Sequence, residues 1–200
     1  YDTEFFNRSI GTIYGLGADP YQGGLPETTV HVRDDGRVAS GDTPIPDVQY
    51  ALVQTDVEGQ KVAADPRIGF SLYKVGGPLV VLTRIGGVDP DTWGGRYVSY
   101  RRFDCDAGTL VVRLASDSNL FSSAQEIAVR EGDQVVQTIS VPPEATPQAP
   151  TVATIPLDPV DGTCQVSFTA QTLRVPARVE PGNTDTRRLA AHYLSFEYRP

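Results

Sequence analysis

Apolar and polar residues alternate along this 200-residue chain, and the runs are broken at short intervals by Gly, Pro and Asp. A period of two puts successive side chains on opposite faces of an extended backbone, so such runs form strands with one buried face. Thr29-Val30-His31-Val32-Arg33 meets an Asp34-Asp35-Gly36-Arg37 turn, and Gln49-Tyr50-Ala51-Leu52-Val53 follows Pro44-Ile45-Pro46, which gives a small leading sheet. From residue 68 onward the spacing predicts strands over 69–75, 78–85, 96–102, 109–115, 125–131, 134–141, 151–157, 163–169 and 191–199. Asp106-Ala107-Gly108, Glu131-Gly132-Asp133 and Val160-Asp161-Gly162 place Gly where positive φ costs little. Pro142-Pro143 and the Pro147 to Pro150 segment lack the amides that would continue a ladder. Only 120–126 and 186–192 have the pattern of a helical turn.

Many short, evenly spaced strands with few helices make an all-β sandwich or barrel. The expected organisation is an N-terminal extension over 1–67, with its small sheet packed on a sandwich over 68–200. The segments between 78 and 199 match the strand count of a jelly roll, although count alone does not fix topology. In residues 1 to 20, Phe5, Phe6, Ile10, Ile13, Tyr14 and Leu16 recur at mixed spacing that fits both a short amphipathic helix and a strand. Asn7-Arg8-Ser9 matches a glycosylation sequon, a pattern common by chance.

Cys105 and Cys164 lie on separate predicted strands, with no CxxC or His-rich spacing nearby. An even count without metal spacing points to one disulfide and an oxidising compartment, against two buried free thiols in a cytosolic protein. The net charge of −8 opposes a polyanionic partner, so no nucleic acid is expected. No apolar run long enough to span a membrane and no signal peptide is found, and Met is absent, so the chain reads as a processed or excised piece, and an extracytoplasmic domain would have its export signal upstream.

Trp93, the single tryptophan, sits in a turn rich in Gly and Asp, close to Tyr97. Sugars stack their apolar C–H face on aromatic rings while carboxylates and amides bond the hydroxyls, so Asp89, Asp91, Trp93 and Tyr97 are the candidate glycan-binding residues. The competing reading packs Trp93 at the end of the core. Asp104 and Asp106 flank Cys105, and Asp89 and Asp91 form a second pair, but no loop carries the full Asp-x-Asp-x-Asp-Gly pattern of a Ca²⁺ site. These are read as solvated turn carboxylates, and no cofactor or assigned metal ligand is expected. Arg187, beside Asp185 and Asn183, is expected to act as a structural clamp, its planar fork bonding Asp185 and loop carbonyls, with Arg188 exposed. The alternative is that Arg187 or Arg188 binds an acidic lipid-linked donor or phosphate. His31 and His192 stand on different strands without a nucleophile elbow, and no phosphate-binding loop is present.

Two short motifs carry a family resemblance. They are Asp-x-Arg-x-Leu at Asp185 to Leu189, just before the closing strand, and Gly-x-Asp-x-Asp-x-Trp at Gly87 to Trp93, which follows Gly76-Gly77-Pro78-Leu79. Together they resemble the carbohydrate-binding jelly-roll domains at the C-terminal ends of polytopic membrane glycosyltransferases of actinobacteria, the arabinofuranosyltransferases foremost. The resemblance implies a jelly-roll fold, an extracytoplasmic position on the cell-envelope face of the plasma membrane, and a catalytic Asp in a parent enzyme outside this chain. It also implies a domain, not itself catalytic, that binds or positions a cell-wall polysaccharide or glycolipid acceptor, and it makes a structural calcium worth testing. The rival readings are a protein-interaction or scaffold module without a sugar site, marked by an apolar patch near the N-terminus, and a secreted hydrolase, marked by two close carboxylates in a cleft.

Overall fold

The computed structural model describes residues 14–16, 28–53, 55–65, 70–89 and 91–200. The sequon and most of the mixed pattern in residues 1 to 20 lie outside the described residues. The chain divides into two compact units, Tyr1–Thr83 and Arg84–Pro200. That division falls later than the 67/68 boundary read from strand spacing, because the strand at Phe70–Gly77 pairs with segments before it.

In the first unit, β1 (Tyr14–Leu16), β2 (Thr28–Val32), β3 (Val38–Ser40) and β4 (Thr43–Pro44) form one sheet in that order. β1 and β2 are parallel and the other pairs antiparallel. β5 (Val48–Val53), β6 (Gln60–Asp65) and β7 (Phe70–Gly77) form a second, with β7 central. Val30, Val38, Ala51, Tyr73 and Val81 are buried together, so residues from both sheets build this core.

The second unit is a jelly-roll β-sandwich. Its strands are β8 (Thr83–Val88), β9 (Gly94–Phe103), β10 (Gly108–Ala115), β11 (Gln125–Glu131), β12 (Gln134–Val141), β13 (Thr151–Leu157), β14 (Thr163–Ala170) and β15 (His192–Arg199). One sheet runs β12-β11-β14-β9-β8 and the other β13-β10-β15. Antiparallel pairs nest one inside the next: β11 with β12, β10 with β13, and β9 with β14. A full jelly roll would close with its first strand beside its last. Here β8 folds back beside β9, and a single bridge between Trp93 and His192 stands in that place.

Alternation decides which face is buried. Val98 and Tyr100 on β9, Val166 and Phe168 on β14, and Ile127 and Val129 on β11 point into one core with Leu110 and Val112 of β10. Complete burial of such a side chain contributes about 1.5–3 kcal/mol, which makes these strands the main source of stability.

Two sequence expectations fail for reasons of long-range pairing. The segment predicted as a strand from 78 to 85 begins its ladder only at Thr83, because Val80 and Val81 form single bridges to Arg37 and Val57 instead. Neither 120–126 nor 186–192 is helical, since β11 starts at Gln125 and the later segment is extended. A short helix among the described residues, α1 (Pro176–Val179), begins on Pro176, whose fixed φ and missing amide suit a first helical position.

Cys105 and Cys164 form a disulfide, with Cα atoms 5.7 Å apart. Cys164 lies opposite Arg102 in the β9–β14 ladder, so the bridge ties neighbouring strands of one sheet at the end of their pairing.

Candidate functional site

The two motifs of the resemblance meet at one end of the sandwich. The connection from β8 to β9 is a tight turn in which the Asp89 amide donates to the Trp93 carbonyl and the Thr92 amide to the Asp89 carbonyl, both at 2.8 Å. Thr92 takes a φ of 70°, unusual for a β-branched residue and therefore a strained position held by its surroundings.

The segment between α1 and β15 is ordered by side chains bonding backbone two residues on. The Asp185 amide donates to Asn183 Oδ1 at 2.8 Å, and the Arg187 amide to Asp185 Oδ1 at 2.9 Å. Asx turns of this kind need no helix or ladder. Reciprocal bonds between Arg174 and Leu189, at 2.9 and 2.8 Å, then fix the approach to β15.

Arg187 joins the two segments. Its guanidinium donates from Nη1 to Asp89 Oδ2 at 2.8 Å, from Nη2 to Asp91 Oδ2 at 2.7 Å, and from Nη2 to Asp185 Oδ2 at 2.7 Å. Nε adds two longer bonds to Asp185, each 3.1 Å. One cation therefore serves three carboxylates. Bonding to Asp185 first, and then to Asp91, pushes the already high Arg187 pKa higher, while the Arg187 bonds hold Asp185 and Asp91 below the usual carboxylate range. The side chain is 43% exposed, so water screens the network.

Behind the clamp, Trp93 is only 8% exposed and packs with Leu120, Phe121 and Leu189. Its ring centroid lies 3.7 Å from that of His192, whose Nδ1 is 2.8 Å from Thr92 Oγ1. Burial lowers the His192 pKa, opposed by the charges of Asp117 and Asp91. Gly94 is required here, since a Cβ would lie 2.5 Å from the Tyr193 ring.

The residues singled out from sequence thus fall into three places. Asp89, Asp91, Asp185 and Arg187 form the clamp, in which Arg187 finds Asp185 as expected and two further carboxylates in place of loop carbonyls. Trp93 is packed behind it and offers no open ring. Tyr97, 67% exposed, stands apart on the outward face of the five-stranded sheet. Around it the register places Thr169 opposite Tyr97, Ser167 opposite Ser99 and Gln165 opposite Arg101, with Ala128 and Arg130 on the next strand. Sequence reasoning missed Thr92, the packing of His192 on Trp93, and the clamp's reach to Asp89 and Asp91. One Arg with three Asp in two otherwise separate motifs was the available signal. Among the described residues no group of three or more His, Cys, Asp or Glu could hold a metal ion. No family model, curated protein or solved structure matches this chain.

Proposed function

We propose that the second unit is a non-catalytic glycan-binding domain on the extracytoplasmic side of a membrane glycosyltransferase, where it binds or positions a cell-wall polysaccharide or glycolipid acceptor. The observation that carries this reading is Tyr97, an exposed ring with Ser99, Thr169, Ser167 and Gln165 on the same sheet face. A sugar laid there stacks its C–H face on the phenol ring while hydroxyls and amide bond its edge. The disulfide fits an oxidising compartment. Asp91 and Asp185, held ionised by Arg187, are poor general acids, which speaks against hydrolysis at that cluster.

One ring with few polar contacts gives weak binding, about −4 to −6 kcal/mol, or Kd from tens of micromolar to millimolar. Titration with arabinan and galactan fragments is expected to shift NMR resonances of Tyr97, Ser99 and Thr169, and Tyr97→Ala to abolish the shifts without changing Tm. An intact fold that shows no shift with any cell-wall glycan at millimolar concentration would end this reading.

A second reading rests on the first unit, where Tyr50, Leu52 and Val62 are 56%, 54% and 53% exposed on β5 and β6. Tyr50 and Leu52 share the outward face of β5, opposite Lys74 and Leu72, and exposed apolar side chains of this kind fit a protein partner, as in a scaffold module. Leu52→Lys would then release that partner and leave glycan shifts unchanged.

A further inference from the structure

The sandwich ends in four strand edges, β12 and β8 in one sheet and β13 and β15 in the other. A free edge presents unpaired amides and carbonyls to any extended chain, and monomeric proteins guard it with charge, proline or a bulge. β8 carries Arg84 and departs from regular geometry at Gly87, φ 78°. β13 contains Pro156. β15 bears an exposed ion pair between Glu197 and Arg199 at 2.9 Å.

β12 is different. Its sequence, QVVQTISV, has no charged residue, proline or glycine, in a chain of net charge −8. The register with β11 slips between Val129 and Arg130, leaving Val136 as the extra residue of a bulge near the hairpin turn. Beyond it, Gln137 to Val141 pair regularly, so this edge is straight and has no second neighbour among the described residues. Thr138 and Ser140 face outward and are exposed, while Ile139 and Val141 face the core.

We propose that this edge pairs with the same edge of a second copy, antiparallel about a two-fold axis at Ile139. Antiparallel partners share a face, which requires outward residues to meet outward ones. With the axis at Ile139, Thr138 meets Ser140 of the second copy and Gln137 meets Val141, so the straight stretch is used whole and the bulge lies outside it. No like charges oppose each other at the seam. A two-fold contact between identical edges closes on itself and leaves β12 consumed, which separates it from open-ended aggregation. The contact is small, below about 1,200 Å², so the dimer is weak and exchanging.

Sedimentation velocity on the whole chain from 10 μM to 1 mM, together with amide exchange along β12, tests the proposal. The expected result is a monomer–dimer equilibrium with added protection confined to alternate amides of Gln137 to Val141. Raising salt should tighten it by screening repulsion between the two acidic copies. Thr138→Lys, on the solvent face, is expected to weaken it at least tenfold, and Val152→Lys on β13 to leave it unchanged. A monomer at 1 mM with unprotected β12 amides would overturn the proposal. So would a dimer indifferent to Thr138→Lys or broken by Val152→Lys.

Discussion

Removing the Arg187 guanidinium leaves Asp89, Asp91 and Asp185 facing one another without a counter-charge. Exposed ion pairs are individually worth little, but a bidentate network on one cation is worth more. With screening allowed for, Arg187→Ala is expected to cost about 1–2 kcal/mol, a Tm fall of roughly 3–6 °C, while Arg188→Ala changes Tm little. Asp91 and Asp185 also contribute to the acid limb of stability. A carboxylate whose folded pKa lies below its unfolded value stabilises fully above the unfolded pKa, about 4, and the contribution disappears as pH falls below it. Arg187→Ala therefore flattens the pH dependence of stability below about 4. His192 acts higher on the scale. Its folded pKa is lowered by burial, so the neutral ring stabilises above the unfolded value, about 6.5, and protonation on acidification works against the fold. Trp93 is the only tryptophan and touches that ring, so its fluorescence should change at a pH below the ordinary His range and lose this step in His192→Gln. A fluorescence change centred at or above the ordinary His pKa would contradict the buried stack.

At the scale of elements, the disulfide closes a loop with a sequence separation of 59. In the chain-entropy account, opening such a loop costs about 4 kcal/mol, so replacing Cys105 and Cys164 by Ser should lower the denaturant midpoint sharply. Thiol counting under denaturation checks the pairing, and two free thiols would refute it. The sandwich strands were legible because their burial is local in pattern: Val98 and Tyr100, or Val166 and Phe168, alternate with polar residues whatever lies across the sheet. Pro78 to Val81 was misread because its partners, Arg37 and Val57, are distant bridges and not a neighbouring strand. Half of the clamp was legible for the same reason. Asp185 is two residues from Arg187, whereas Asp89 and Asp91 are 98 and 96 away and reach it only through the nested topology. Trp93 drew attention as a surface ring because its turn is polar, but Leu120, Phe121 and Leu189 come from elsewhere to cover it.

For the whole molecule, the net charge of −8 sets the long-range field, so glycan binding through a neutral ring and hydroxyls is expected to vary little with salt, unlike the self-association of β12. The nested strand pairs also dictate a schedule. A chain synthesised from its N-terminus presents β9 long before β14, and β10 before both β13 and β15, so in the sandwich the sequential pairs β8–β9 and β11–β12 form first and the nested ones wait. Contacts this remote in sequence form slowly. Until β15 arrives, Leu110 and Val112 lack Tyr198 and Phe196 opposite them, and Cys105 stays a free thiol until Cys164, the only other cysteine, has been made. The sandwich unit of a chain stopped at Ala190 should therefore unfold without a cooperative transition, and maturation of the whole protein should depend on chaperones that hold an unfinished sandwich soluble until its last strand is in place.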